Sequence, residues 1–240
     1  MILAAGKGTR LRPLTDTRPK ALVEIQGRTL LELVVERLKA AGVREIIINV
    51  HHHAEQIIDF VKKKEAFGLH VAFSVEDELL DTGGGLKKAR WFFDDVEMFL
   101  LHNVDILTDL DYGRLFRALQ RTGALAALAV KRRRTSRYLL FNAQKRLVGW
   151  QNVRSGELKM ARKTCASFSQ LAFSGIHALR REIFDYFPPE KIFSIIDAYL
   201  QIAHRAMPVV GVPIDDCRWL DVGKPEELEK ARTLFSDFFN

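Results

Sequence analysis

The residues best suited to chemistry are concentrated in the segment LAAGKGTRLRPLTDTRPK, residues 3–20. Gly6 and Gly8 flank a lysine, and glycine permits backbone conformations in which successive N–H groups converge on a phosphate oxygen. Arg10 and Lys20 add a planar guanidinium and a compact ammonium, both of which bind phosphate. The segment therefore predicts a phosphate-binding loop.

The loop matches neither of two familiar phosphate-binding motifs. The spacing G-x-x-x-x-G-K-[ST] is absent from this stretch, and G-x-G-x-x-G would require a glycine at the position of Leu11. The loop is thus expected to bind phosphate in a way that differs from both motifs.

Two carboxylates stand at the ends of strand-like segments. Asp105 follows the apolar run MFLLHNV, and Asp221 precedes a helix that begins at Pro225. In open α/β sheets, ligands bind at the carboxyl ends of strands. Mg²⁺ prefers one or two carboxylates together with phosphate oxygens and water. We expect the two aspartates to share a divalent cation; the alternative is that Asp105 is only a turn-forming residue.

The sequence DTGGG, residues 81–85, carries three consecutive glycines. We expect a loop before a helix, in which Gly83 and Gly84 let a flat nucleotide base approach the backbone. A flexible loop without a ligand is the alternative.

The elements that must position these residues alternate between strands and helices. Short apolar runs of the kind found in buried parallel strands lie at 44–50, 69–75, 98–104 and 124–130, after a very short first strand at 2–4. Amphipathic helices are predicted at 29–41, 54–64, 85–93 and 112–121, the first of them ended by Gly42. This alternation predicts a doubly wound α/β sheet.

The pattern changes after residue 130. A hairpin is predicted around the turn 142–145, then a strand at 170–179, helices at 180–186 and 190–205, and a final strand pair at 207–214 and 217–223. We predict one domain over residues 1–240, with a nucleotide-binding half to residue 130 and, from 131 to 240, a mixed half that completes the sheet and holds the second substrate, which the family resemblance described below implies is a sugar phosphate.

The composition of the chain indicates which kinds of partner the protein can bind. The net charge of +7 favours anionic ligands. No apolar run approaches the roughly 20 residues of a membrane span, and a signal peptide is lacking, so we expect a cytoplasmic protein without a membrane partner. Cys165 and Cys217 are expected to be reduced thiols. The basic run 131–134 lacks interleaved aromatic residues, so we expect no nucleic acid there. The alternatives are a solvated loop, a patch that faces a partner and a contact with a substrate phosphate.

LAAGKGTRLRPLTDTRPKALVEIQGRTLLE, residues 3–32, resembles the signature of the sugar-1-phosphate nucleotidyltransferases. The resemblance continues through DTGGGLKKA, HNVDILTD, FSGIHAL and WLDVGKPEELEKA, and so covers nearly the whole chain. It implies a Rossmann-like, three-layer α/β/α fold of the glycosyltransferase-A type with a mixed sheet. It also implies an Mg²⁺-dependent enzyme that makes a nucleotide sugar and pyrophosphate from a nucleoside triphosphate and a sugar 1-phosphate.

The resemblance also assigns site residues. It implies nucleotide contacts at Ala4, Ala5, Gly6, Gly8, Thr9, Gly83 and Gly84, catalytic roles for Arg10, Lys20 and Asp105, magnesium ligation by Asp105 and Asp221, and sugar contacts at Ser174 and Gly175. Members of the family commonly carry Gly-Asp at the metal-binding turn, where this chain has Val104-Asp105.

The short family members without a C-terminal β-helix are the most similar, and they include the N-acetylmuramate-1-phosphate uridylyltransferases and the mannose-1-phosphate guanylyltransferases. We favour UTP as the nucleotide donor. The alternatives are a guanylyltransferase, a cytidylyltransferase of the phosphocholine type and a regulatory nucleotide-sugar-binding subunit without catalysis. Both a monomer and a homodimer are compatible with the sequence.

Overall fold

The computed structural model describes residues 1–162 and 167–239. Its helices are α1 (Leu30–Ala40), α2 (Ala54–Lys63), α3 (Asp81–Lys88), α4 (Gly113–Thr122), α5 (Ile195–His204) and α6 (Pro225–Leu234). Its strands are β1 (Ile2–Leu3), β2 (Glu24–Ile25), β3 (Arg28–Thr29), β4 (Glu45–Val50), β5 (His70–Val75), β6 (Met98–Asn103), β7 (Ile106–Thr108), β8 (Ala126–Lys131), β9 (Arg137–Phe141), β10 (Leu147–Asn152), β11 (Glu157–Met160), β12 (Ser169–Arg180), β13 (Val209–Pro213) and β14 (Trp219–Asp221). Strands pair in both parallel and antiparallel directions, which confirms the predicted α/β class with mixed pairing.

The chain divides into two compact units. The first unit comprises the described residues of Met1–Leu79, His102–Leu110 and Cys217–Asn240, and the second comprises those of Leu80–Leu101 and Asp111–Asp216. These boundaries differ from the predicted division at residue 130. The assignment of a nucleotide half and a sugar half stays a prediction.

In the first unit the pairing is mainly parallel. Strand β1 lies between β4 and the end of β6, and β4 also pairs with β5, all in parallel. Helix α1 begins with a capping box, in which the Glu32 N–H donates to Thr29 Oγ1 at 3.1 Å and the Thr29 N–H donates to Glu32 Oε2 at 2.8 Å. Gly42 follows the helix with a φ of +90°, as the predicted helix end requires.

A separate apolar cluster in the first unit supports the two short strands β7 and β14. Its fully buried members include Leu11, Leu30 and Phe235, and it also contains Leu107 from β7 and Val222, the residue after β14. The antiparallel pair β7–β14 is held on the same core as helices α1 and α6. This arrangement matters because both predicted magnesium ligands lie at the ends of these strands.

In the second unit the pairing is mainly antiparallel. Strand β12 pairs with β8 and β9 in the antiparallel direction, β10 lies between β9 and β11, and β13 is parallel to β8. The predicted hairpin at 142–145 is confirmed by β9 and β10. Phe93, Phe99 and Phe184 stack within this unit, with ring centroids 4.0 to 6.0 Å apart.

Three expectations about secondary structure are wrong. The segments 207–214 and 217–223 do not pair with each other: β13 pairs with β8, and β14 pairs with β7. The predicted helix at 190–205 begins only at Ile195, where the Ser194 side chain accepts the N–H of Ile196. The helix predicted from residue 85 begins at Asp81, so the three glycines lie within α3.

No described helix is long and apolar enough to cross a membrane. Cys165 lies outside the described residues, so the predicted state of that thiol is not addressed by the structure.

Candidate active site

The predicted phosphate loop follows β1 and is fixed at both ends. Ala4 and Ala5 are buried, and the Ala4 N–H donates to Asn49 Oδ1 at 2.8 Å. Gly6 is exposed, and among residues 1–162 and 167–239, its chain neighbours aside, no atom lies within 4 Å of where its Cβ would be. At the far end, Gly8 adopts the left-handed conformation with a φ of +64°. The exposed part of the loop therefore lies between two anchored positions.

The left-handed residue Gly8 ends the loop and starts a 3₁₀ turn at Thr9–Leu11. The Gly8 carbonyl accepts hydrogen bonds from the Leu11 N–H at 2.9 Å and from Thr15 Oγ1 at 2.8 Å. Leu11 and Thr15 are both buried, whereas Thr9 and Arg10 are exposed. Buried anchors thus hold the turn while its polar side chains face solvent.

Lys20 is a buried cation that is paired with a carboxylate. It follows Pro19, and its residue surface is only 8% exposed. Its Nζ donates to Asp105 Oδ2 in a close ion pair. Gly8 lies directly against this lysine, because a Cβ at Gly8 would lie 3.0 Å from Lys20 Cβ. The loop, the lysine and the aspartate are therefore in continuous contact.

The β7–β14 pair brings the two predicted magnesium ligands to neighbouring positions. Asp221 is the register partner of Ile106, the residue after Asp105. The Val222 N–H donates to the Asp105 carbonyl at 2.8 Å, which ties the two chain segments together at this point. Val104, the departure from Gly-Asp, is buried and continues the strand pairing by donating its N–H to the Leu3 carbonyl at 3.1 Å.

Arg10 completes the group. Its Nη2 lies 3.9 Å from Asp221 Oδ2, and its side chain is 60% exposed. Gly223 provides the space for this arginine, because a Cβ there would lie 2.6 Å from Arg10 Nη2. The two carboxylates, Asp105 and Asp221, thus adjoin each other, and each is paired with one cation, Lys20 and Arg10 respectively.

Carboxylate oxygens are the ligands that Mg²⁺ prefers, and two such side chains lie at adjoining positions here. Among residues 1–162 and 167–239, no group of three or more His, Cys, Asp or Glu side chains could hold a metal ion. The pair Asp105 and Asp221 therefore fits a cation that takes its remaining ligands from phosphate oxygens and water, and not one enclosed by the protein alone.

Gly83 and Gly84 lie in the second unit, and the structure corrects the expectation that they form a loop. They are buried in the first turn of α3, and both N–H groups point to the Phe193 carbonyl, at 3.0 and 3.2 Å. A Cβ at Gly84 would collide with the Lys191 carbonyl oxygen. These glycines therefore allow another backbone to approach closely, and their contact with a nucleotide base stays a prediction.

Ser174 and Gly175, the predicted sugar contacts, also lie in the second unit. Ser174 is fully buried on β12. Gly175 has a φ of +75° at a register irregularity between β12 and β8. Arg133, from the basic run, donates through Nη2 to the carbonyl of Phe173 at 2.9 Å, so this cation is used within the unit. The sugar-binding role of the two residues stays a prediction.

Several supporting residues were not predicted. Asn49 accepts from Ala4 and donates through Nδ2 to Glu76 Oε1 at 2.7 Å, and both side chains are buried. Thr15 and Gly223 support Gly8 and Arg10. The visible signal for Asn49 is a polar residue inside the apolar run IIINV, and for Gly223 it is a glycine that separates a strand from a helix.

The chain is similar to known proteins over nearly its whole length. A family model described as nucleotidyl transferase matches residues 1–237. A UTP–glucose-1-phosphate uridylyltransferase of Synechocystis sp. is 30% identical over 98% of this chain and 63% of its own length. An N-acetylmuramate alpha-1-phosphate uridylyltransferase of Caulobacter vibrioides is 30% identical over 94% of this chain and 92% of its own length.

The name of a third relative refers to a guanine nucleotide, whereas the first two names refer to a uracil nucleotide. A mannose-1-phosphate guanyltransferase of Yarrowia lipolytica is 31% identical over 98% of this chain and 63% of its own length. The chain therefore spans less than two thirds of the first and third relatives. The solved structure of a UDP-glucose pyrophosphorylase with UDP-glucose has a TM-score of 0.75 at 18% identity, and the match covers 98% of this chain and 97% of that chain. This likeness confirms the predicted fold type.

Proposed function

The chain belongs to the nucleotidyl transferase family, and from this premise we propose that it transfers a nucleotidyl group from a nucleoside triphosphate to a sugar 1-phosphate. The observation that carries the proposal is the contiguous group Lys20, Asp105, Asp221 and Arg10 beside an exposed glycine loop. Such a group suits a reaction in which two polyanions must approach each other.

In the proposed reaction, an oxygen of the sugar 1-phosphate attacks the α-phosphorus of the nucleoside triphosphate. A new P–O bond forms, the bond from the α-phosphorus to the bridging oxygen of the β-phosphate breaks, and pyrophosphate leaves with the electron pair. The sugar phosphate is already ionised at pH 7, so no general base is required. Catalysis then depends on positioning and on stabilising charge.

We assign Lys20 to the reacting phosphates and Arg10 to the departing pyrophosphate. Lys20 is held rigidly by burial and by its ion pair with Asp105, which suits a group that must meet a fixed position. Arg10 is mostly exposed and loosely paired at 3.9 Å, which suits a group that moves to receive a ligand. The loop from Gly6 to Gly8 supplies backbone N–H groups to the phosphates.

Asp105 and Asp221 would hold Mg²⁺, which would neutralise phosphate charge when bound. The two aspartates belong to one strand pair fixed by the Val222 to Asp105 hydrogen bond, so their spacing is set by backbone pairing. Their ion pairs with Lys20 and Arg10 keep the charge of the site balanced.

We further propose UTP as the donor. The two relatives named first above are uridylyltransferases, and the second of them matches this chain over 92% of its own length. The guanylyltransferase relative supports GTP as the second candidate.

A matrix of four nucleoside triphosphates against glucose, N-acetylmuramate and mannose 1-phosphates and phosphocholine, with pyrophosphate release as the readout, tests the proposal. Highest turnover with UTP and a sugar 1-phosphate is expected. Turnover only with CTP and phosphocholine would replace it with the cytidylyltransferase alternative. Binding of a nucleotide sugar without turnover in any pairing would favour a regulatory subunit.

The variant Asp105→Asn tests the site itself. We expect turnover to fall by about 10²-fold or more, because one of the two proposed magnesium ligands loses its charge and the ion pair that positions Lys20 is weakened. Asn fills the same space, so the circular dichroism spectrum should not change. Glu24→Gln, an exposed carboxylate of the same unit, is the matched control. Near-normal turnover of Asp105→Asn would contradict the assignment.

A further inference from the structure

Strand β11, Glu157–Met160, forms an exposed edge of the second unit. Within residues 1–162 and 167–239 it pairs only with β10, and all four of its residues are exposed, Leu158 by 49%. The other edge strand of this unit, β13, is protected differently: the Gly211 N–H donates to the Lys145 carbonyl at 2.9 Å, and a bridge joins Arg146 to Val210. The open edge at β11 is thus a place where another strand can add.

The hydrogen bonds between β10 and β11 define which backbone groups face outward. The Ala161 N–H donates to the Val148 carbonyl at 2.8 Å. These two residues are the register pair next to Gly149 and Met160. Bonded and non-bonded pairs alternate in an antiparallel ladder. The backbone groups of Glu157 and Lys159 therefore point towards β10, and those of Leu158 and Met160 point away from it.

A second copy of this strand fits the edge in one antiparallel register. Only residues with outward-facing backbone groups can bond across a new edge, so Leu158 must oppose Leu158, Met160 or Gly156 of the copy. A twofold axis at Leu158 places Glu157 opposite Lys159 of the copy on both sides. Opposing Leu158 to Met160 would instead place Lys159 opposite Lys159, and opposing it to Gly156 would place Glu157 opposite Glu157, which is unfavourable in both cases.

The side chains required for this pairing are accessible. The Glu157 and Lys159 side chains are 52% and 46% exposed, and they lie on the same face of the strand. Lys159 already contacts Asp197 Oδ1 at 3.0 Å, lies 3.7 Å from Glu157 Oε1 of its own strand and lies over the Trp150 ring at 5.4 Å, which restricts its conformations before a partner arrives. The Glu157 carboxylate of a second copy can therefore join at a limited cost in side-chain entropy.

From these observations we propose that two copies of the chain associate through β11, antiparallel about a twofold axis at Leu158. The Leu158 N–H and C=O groups of each copy bond to those of the other, and two Glu157–Lys159 pairs flank them. The interface is isologous, as a closed dimer requires. It depends on one edge of the second unit and is independent of the proposed catalysis.

Charge complementation gives a sharp test by sedimentation velocity over a range of protein concentrations. Glu157→Lys places Lys opposite Lys in a dimer, and Lys159→Glu places Glu opposite Glu. Each variant alone should dimerise about tenfold or more weakly than the unchanged chain. An equimolar mixture of the two should dimerise again, because the heterodimer has two opposite-charge pairs. Arg121→Glu, an exposed charge on α4, should leave dimerisation unchanged.

A second variant probes the backbone. Leu158→Pro removes an outward N–H and leaves the bonds between β10 and β11 in place, since proline is tolerated on the solvent side of an edge strand. It should abolish the dimer with little change in melting temperature. A chain that is monomeric at every concentration would overturn the proposal. Lys159 would then be a charged residue that prevents other strands from pairing with the β11 edge. A dimer unaffected by either charge variant, or a mixture that stays monomeric, would overturn it as well.

Discussion

Two glycine-rich segments of this protein have opposite reasons for their glycines. In the loop after β1, apart from Gly6 and its two chain neighbours, no atom of the described residues lies within 4 Å of the position that the Gly6 Cβ would take. In helix α3, Gly83 and Gly84 are buried, and a Cβ on either would meet the segment 191–193. The first segment leaves space for a ligand, and the second has its space filled by the protein itself.

The difference shows that glycine content alone does not identify a ligand-binding loop. The glycines of both segments predict that another group approaches the backbone of the segment closely. Both segments allow this approach, but the approaching group differs. For α3 it is the Phe193 carbonyl, which accepts the N–H groups of Gly83 and Gly84. For the first loop, the approaching group in our proposal is a phosphate of the substrate. Substitution of each glycine by alanine separates the two cases, because it changes stability in one and activity in the other.

The largest effect is expected from Gly84→Ala. The added methyl group would collide with the Lys191 carbonyl, and a backbone atom cannot move aside as a flexible side chain can. We expect the free energy of unfolding to fall by about 3 kcal/mol, the upper end for overpacking, in spite of the better helix propensity of alanine. Urea unfolding followed by circular dichroism measures this.

Gly6→Ala is the matched variant in the other segment. Its unfolding free energy should stay within about 0.5 kcal/mol of the original value, because the methyl group meets nothing. Pyrophosphate release should nevertheless fall by about tenfold, because the methyl group occupies space needed by a phosphate. If Gly6→Ala were fully active, or Gly84→Ala fully stable, the contrast between the segments would be wrong.

Gly8→Ala should affect both properties. A φ of +64° costs an L-residue about 1–2 kcal/mol, and the new Cβ would lie 3.0 Å from Lys20 Cβ and from Thr15 Cγ2. Turnover should also fall, because Lys20 is displaced. Gly27→Ala is a close control: it has a φ of +78° but no atom within 4 Å. Equal losses of turnover in both variants would exclude a role for the Gly8–Lys20 contact.

The parts of the fold that sequence could predict are those determined by local pattern. The apolar run at 45–50, the capping residues Thr29 and Glu32 and the helix end at Gly42 all depend on neighbours within a few positions. The first turn of α3 was not predicted, because glycine disfavours helix and only the distant segment 191–193 explains its presence there.

For the candidate site, residue types could be predicted but not their contacts. The loop glycines, Lys20 and the two aspartates have recognisable positions in sequence. The pairing of β7 with β14 joins residues more than 100 positions apart through strands of only three residues, which are too short for a period to be visible. The Asn49–Glu76 support and the Gly223 contact likewise depend on tertiary packing alone.

Gly223→Ala extends the comparison to a glycine that makes room for Arg10, a side chain that we propose to be catalytic. The Cβ would lie 2.6 Å from Arg10 Nη2 and 2.8 Å from Asp221 Oδ1, which are the ends of two partly exposed side chains that can move. Stability should therefore change by less than about 0.5 kcal/mol. Turnover should fall by several-fold, because Arg10 and the Asp221 carboxylate leave their positions beside each other. Arg12→Ala, which removes another exposed arginine of the same loop, is the control; a larger effect of Arg12→Ala would contradict the assignment of Arg10.

The smallest effect is expected at a position whose backbone conformation favours glycine but which is occupied by another residue. Ala66 and Phe67, in the turn after α2, adopt φ values of 50° and 55°. Ala66→Gly relieves the left-handed strain of about 1–2 kcal/mol, and it also increases the entropy of the unfolded chain at a cost of up to about 1 kcal/mol. The net result should be a gain of about 0.5 kcal/mol in urea unfolding. Ala40→Gly, in the last turn of α1, changes the same side chain in a right-handed helix and should lose stability instead. Glycine relieves strain only where φ is positive. A conformational origin therefore requires the free energy of unfolding to rise in Ala66→Gly and to fall in Ala40→Gly. A fall in both variants would place the cause in the unfolded chain.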